Sequence, residues 1–203
     1  MNKTDTKTDT KTDTKTDNKT DNKTDNKTFT KRLYQNTKDY HQIVDSHPFV
    51  QLIRKNPNAA KLYINFNKIC IYKIESAFSD LAYTDFMPLF TRLQKNISIN
   101  DIDMNISANL QILLQKCYEY PLEHSYMFYL GLMMGYKILD KYVKDDILSY
   151  DDSKIKLLIK DFKNFLDNNV ETEELFINTV SQSYILIKNV FDEYYTKYQN
   201  TII

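Results

Sequence analysis

The stretch Tyr126-Met-Phe-Tyr-Leu-Gly-Leu-Met-Met-Gly-Tyr-Lys-Ile-Leu139 holds Gly131 and Gly135, the two glycines of this 203-residue chain. In a helix, residues i and i+4 lie one above the other on a single face, so this pair opens a bare strip of backbone about one turn long. Each glycine in a helix interior costs roughly 0.5–1 kcal/mol relative to alanine. A chain that avoids glycine everywhere else has accepted that cost twice in one place. The strip predicts a bulky neighbour, either a flat ligand held against the backbone or another helix packed unusually close, as in small-xxx-small contacts. Spacing alone favours the helix. The apolar stretch is shorter than the roughly 20 residues a bilayer span requires, and His124 and Lys137 bracket it. It is apolar nearly all round, which marks a central helix, and Pro121 gives it a start.

Working outward, the sequence reads as helices almost throughout, because only four prolines occur and each falls near an expected helix edge. Asn36 or Thr37 can cap a first short helix carrying His41, and His47-Pro48 breaks it. Asn56-Pro57 opens a helix running to about Phe78 with Leu62, Tyr63, Phe66, Ile69, Cys70 and Ile74 on its apolar side. Further helices are expected over 83–96, 106–119, 151–167 and 171–198. The last carries a stripe of Phe176, Val180, Tyr184, Ile187, Phe191 and Tyr195, and Glu171, Glu173 and Glu174 suit its N-terminal dipole.

Residues Lys3 to Asn26 are six tetrads of Lys-Thr-Asp-Thr and Lys-Thr-Asp-Asn with nothing apolar to bury. They predict a disordered low-complexity arm over 1–29, followed by one all-α domain over 30–203. The formal net charge is zero, which gives no support to nucleic-acid binding, since that usually needs a basic stripe. Cys70 and Cys117 have no metal-type spacing and read as buried reduced thiols. No signal peptide, membrane span or lipid anchor is visible, so a soluble, cytoplasmic protein, expected to be a monomer, is the reading.

The segment Leu122-Glu-His-Ser-Tyr-Met-Phe-Tyr-Leu-Gly-Leu-Met-Met-Gly-Tyr-Lys-Ile-Leu139 resembles the distal helix of the heme oxygenases, HAYxRYLGDLSGGQxL, at His124, Tyr126, Tyr129, Leu130, Gly131, Gly135 and Leu139. Thr37-Lys-Asp-Tyr-His-Gln-Ile-Val-Asp-Ser-His-Pro-Phe49 is similar to that family's proximal helix, TKxxHxxxExxxF, without a gap. Lys160-Asp-Phe-Lys-Asn-Phe-Leu166 resembles RxRMNxL, and Tyr184-Ile-Leu-Ile-Lys-Asn-Val-Phe191 resembles FLLNxxxF at the same distance beyond it. The four segments keep the family's order over residues 34–198.

This resemblance implies an all-α heme oxygenase-like domain with heme sandwiched between a proximal and a distal helix. His41 takes the place of the iron ligand and Asp45 that of its acidic partner, while the Gly131–Gly135 backbone lies on the distal side. Lys38 and Lys160 fall where the family keeps basic residues for the heme propionates, lysine at 160 lacking arginine's bidentate fork, and Lys156, one turn before Lys160, is a candidate to join them. Tyr126, Met134, Phe165, Tyr184 and Phe191 are pocket-wall candidates, for which plain core packing is the competing reading. His124 reads as structural or as a weaker pocket element. The implied reaction is cleavage of heme to biliverdin, carbon monoxide and iron with O2 and electrons from an NADPH- or ferredoxin-linked reductase.

The distal helix departs from the family pattern where chemistry is concentrated. Leu132 replaces the aspartate that organises water near the iron, and leucine has no hydrogen-bonding group. Met134 and Tyr136 replace the serine and the third glycine, and Phe128 the arginine. Tyr136 is the one nearby side chain with a hydroxyl to offer. The alternatives to an oxygenase are a heme-binding or heme-sensing relative without turnover, and a non-catalytic helical scaffold for protein interaction.

Overall fold

A computed structural model describes residues 28–80, 106–145 and 151–199. Every regular element among the described residues is an α-helix: α1 (Phe29–Asp45), α2 (Pro48–Ile53), α3 (Pro57–Asp80), α4 (Ala108–Glu119), α5 (Pro121–Leu139), α6 (Asp152–Asn169) and α7 (Glu173–Gln199). The repeat arm and the helix expected over 83–96 lie outside the described residues.

Local chemistry starts most of these helices where expected. His47 precedes Pro48 and caps α2, its Nδ1 accepting the Phe49 N–H at 3.1 Å. Asn56 Oδ1 accepts the N–H groups of Asn58 and Ala59 at 2.9 and 3.2 Å. Ser107 Oγ accepts from Leu110 at 3.2 Å, and Asp151 Oδ1 accepts from Ser153 at 3.0 Å. Each cap satisfies amide donors that the first turn leaves without intrahelical partners.

The first helix differs from its expected start. It begins at Phe29 rather than near Thr37, and its N-cap, Thr28, makes no side-chain cap bond. The cap comes from elsewhere in the chain, because the Thr30 N–H donates to Asp167 Oδ1 of α6 at 2.7 Å. Arg32 grips Glu173 at the start of α7, with its Nε 3.0 Å from Oε2. Thr37 sits mid-helix, where its hydroxyl donates back to the Leu33 carbonyl at 2.8 Å, the alternative open to a capping-type residue inside a helix. Phe29 and Leu33 are buried, and the Phe29 ring meets Phe176 edge-on at 5.2 Å. Burial of those two residues and a distant carboxylate therefore extend α1 by two turns.

The long helix α7 packs against α1, α2, α4 and α5, while α3 packs against α2, α4 and α5. Phe49, Phe66, Tyr129, Phe162 and Phe191 are the largest fully buried side chains. Rings of Phe49, Tyr63, Phe66 and Tyr194 surround Phe191 at 5.2 to 6.4 Å. Both α1 and α5 rest on α6 and α7, yet they do not pack along one another.

Candidate functional site on α1, α5 and α7

Tyr34, Lys38, His41 and Asp45 follow the i, i+4, i+7, i+11 spacing that aligns residues on one helix face, and all four are exposed. The opposite face of α1 turns Leu33 and Thr37 into the core. His41 Nδ1 lies 3.0 Å from Asp45 Oδ2. The carboxylate accepts only, so in the neutral ring the proton sits on Nδ1 and Nε2 carries the lone pair. None of the described residues hydrogen-bonds that nitrogen. The His41 ring stands edge-on to Tyr184 at 5.5 Å and 86°.

Tyr184 of α7 forms the floor. Burial pushes its phenol well above the usual value, and Tyr126, Asp45 and Tyr63 add to the effect. Burial also raises Tyr126, against the opposing hydrogen bond of Thr37, and raises Tyr63, against that of Asn67. Three neutral phenols from three helices thus gather under His41 and Asp45. Tyr126 brings α5 against α1 beside Thr37.

On α5, Gly131, Met134 and Ile138 are exposed and Gly135 is partly so. A Cβ built on either glycine meets no atom within 4 Å. The expectation of a closely packed helix is therefore corrected, and the strip faces open space. The physical reason lies in the other faces of α5, where Phe128, Tyr129, Leu132 and Met133 are buried and meet α3, α4 and α7. Phe128 packs on Phe66 at 5.8 Å, and the Tyr129 hydroxyl donates to Glu75 at 2.5 Å. Leu132 is only 2% exposed and belongs to the core. The Tyr136 side chain lies outside the described part of the structure.

His124 is structural. It is fully buried, its Nδ1–H donates to the Tyr120 carbonyl at 2.7 Å, and its Nε2 accepts from Ser183 Oγ at 2.9 Å. Burial pushes its pKa down to about 4, so the ring is neutral. His47 is buried too, with Nε2–H donating to Asp192 at 3.0 Å, and neither ring nitrogen is left for a metal. Lys38, Lys156 and Lys160 are exposed, and none pairs with an acid among the described residues. Met134 is 68% exposed, whereas Phe191 is enclosed in the core and Phe165 is half-buried. Sequence reasoning missed Tyr63 and Tyr34 as members of the site. Tyr34 stands seven residues before His41, a helical spacing that marks it as a wall residue. A separate hollow of about 420 Å³, lined by Lys73, Ile106, Gln111, Leu114, Gln115 and Tyr118, contains none of these groups.

The arrangement suits a flat ligand with a metal at its centre and acids at its edge. One helix offers a free imidazole nitrogen, the other a strip bare of side-chain atoms, and three lysines are free to meet anions. Among the described residues no cluster of three His, Cys, Asp or Glu groups holds a metal by itself, so the lone imidazole fits a metal whose other ligands arrive with it.

The fold defines a class. Heme oxygenase-1 from the cyanobacterium Synechocystis sp., whose crystal structure is in complex with heme, superposes with a TM-score of 0.62 at 15% identity, over 87% of this chain and 96% of that one. Heme oxygenase from Leptospira interrogans gives a TM-score of 0.63 at 16% identity, over 82% of this chain and all of that one. The chain has the all-α heme oxygenase-like fold. No family model and no curated protein sequence matches it. No helix among the described residues is long and apolar enough to cross a membrane.

Proposed function

We propose that this protein binds heme between α1 and α5, with His41 as the iron ligand. One observation carries the reading: the His41 ring is exposed and oriented by the 3.0 Å contact of Nδ1 with Asp45, with no described residue on Nε2, while the glycine strip of α5 is open. Neutral imidazole oriented through its second nitrogen is the usual form of a heme-ligating histidine. Tyr184 supports the ring from below, and Lys38, Lys156 and Lys160 supply the cations that propionates require.

Two finer readings rest on this. In the first, the protein is a heme oxygenase that converts heme to biliverdin, carbon monoxide and iron with O2 and reductase electrons. Bound heme supplies the redox-active iron and the ring that is opened. The residues' part is to orient the porphyrin, admit backbone close to its face and exclude bulk water, and the bare strip supports this reading. In the second, heme is bound without turnover. Leu132 favours it, because hydrocarbon buried in the core stands where the resembling family keeps the acid that organises distal water.

Titration of the purified full chain with hemin, followed by a reductase system in air, tests all of this. A stoichiometric Soret band in the parent and its loss or change in His41→Ala are expected. An unchanged spectrum in His41→Ala would sink the ligand assignment. A Soret band that decays into biliverdin supports the first finer reading and a persistent band supports the second.

A further inference from the structure

We propose that the hollow between α3 and α4 binds a small organic carboxylate with an apolar body, held at its acid end by Lys73 and Gln111. The hollow shares no residue with the candidate heme site, so the two bindings stand or fall separately.

The hollow has a volume of about 420 Å³, toward the small end of the roughly 300–1,000 Å³ found for small-molecule sites. Gln111, Leu114, Gln115 and Tyr118 of its lining recur at i, i+3, i+4 and i+7 and so form one face of α4. Lys73 of α3 and Ile106, just before the Ser107 cap, complete it.

Charge sets the class of ligand. Lys73 is the one charged side chain of the lining, and no acid lines the hollow. The lysine is half-buried and pairs with no carboxylate among the described residues. An ammonium that has given up part of its hydration without gaining a partner favours an anion beside it. Glu119, the acid of α4, is already engaged, accepting from Lys116 Nζ at 2.8 Å and from Gln115 Nε2 at 3.1 Å. Gln115 is thereby turned away as a donor, whereas the Gln111 amide bonds to no described residue and keeps its N–H groups for a ligand. One cation and one amide match a carboxylate, and a dianionic phosphate would remain undercompensated. The rest of the lining suits hydrocarbon. Leu114 is buried at the floor, while Ile106 and Tyr118 are exposed at 41% and 37%, apolar surface that a ligand's body would remove from water. A ligand seated there bridges α3 and α4, the pair that carries the buried thiols Cys70 and Cys117.

Decanoate is the probe, titrated calorimetrically below its micelle threshold into the full chain with and without hemin. Saturable one-to-one binding is expected in both cases, with decanol much weaker. Lys73→Gln and Ile106→Asp, neither at an enclosed core position, should each weaken decanoate by roughly tenfold or more, the scale of one charge-assisted hydrogen bond. Lys73→Arg should retain it. At about ten times the parent Kd, decanoate should slow labelling of Cys70 and Cys117 in the parent by roughly tenfold, because it binds only the closed α3–α4 pair, and far less in Lys73→Gln. The proposal is overturned by absence of saturable binding, by equal affinity in parent and Lys73→Gln, or by decanol binding as tightly as decanoate. Displacement of decanoate by hemin also overturns it, since the carboxylate then sits in the heme site.

Discussion

At the scale of single residues, the glycines and Leu132 make opposite predictions about stability and binding. Because a Cβ at Gly131 meets nothing within 4 Å, Gly131→Ala should stabilise the ligand-free protein by about 0.5–1 kcal/mol through helix propensity. The same methyl group would stand between the strip and the proposed heme, so hemin affinity should fall, and a variant both more stable and equally tight would refute the assigned role of the strip. Leu132→Asp should behave differently. It places a carboxylate in a site 2% exposed, so we expect a loss of at least about 3 kcal/mol in urea unfolding and no gain of biliverdin formation. The sequence made the glycine pair conspicuous through rarity, and its i, i+4 spacing gave the face. It did not settle what the face met, because a helix partner and a flat ligand demand the same absence of side chains. His41 stood out only through the resemblance of Thr37–Phe49 to the proximal-helix pattern, in which Asp45 takes the acidic place, whereas Tyr63 became a neighbour only when its ring was packed beside Phe191 of α7.

Among elements, α1 is the one whose extent local rules misplace, since its amide cap is Asp167 and its ionic clasp is Glu173. Capping logic reads a few residues around a helix start and cannot see a carboxylate on α6. Asp167→Ala should therefore cost roughly 0.5–2 kcal/mol, the range for a lost cap, with helicity lost first at Phe29–Arg32 in amide exchange. The cysteines of α3 and α4 were legible as buried thiols from their apolar surroundings. Cys70 and Cys117 are both free and buried, and burial pushes the Cys70 thiol well up, with the adjacent Cys117 adding to it. Thiol reagents need thiolate, so both should react with a disulfide reagent only as fast as the protein opens. Labelling of the native state at the rate of a free thiol would contradict the α3–α4 packing.

For the molecule as a whole, His124 ties stability to pH. Its folded value of about 4 lies below that of an unfolded histidine, so the unfolded state takes up a proton first as the solution is acidified. The contribution of neutral His124 is complete above about pH 6.5 and is lost progressively as pH falls toward 4, to a total of about 3 kcal/mol. Asp192, held down by Lys188 and His47, loses its own contribution in the same direction at lower pH. Urea unfolding across pH 4–7 should show the slope, and His124→Gln should flatten it. The helix order could be read from prolines, capping residues and apolar stripes, but the separation of α1 from α5 could not, because it is set by what α6 and α7 hold between them. Phe176, Tyr184 and Asp192 follow one another at intervals of eight along α7, and they meet Phe29, His41 and His47 in that order. The two segments therefore run in the same direction, and α7 acts as a graduated rail against which α1 and α2 are set. One residue inserted between Phe176 and Tyr184 would turn every later mark by about 100°, leaving His41 without its floor. Such a rail tolerates wholesale replacement of side chains but no change of length, which is how a chain can share 15% identity with another and still align along 87% of itself.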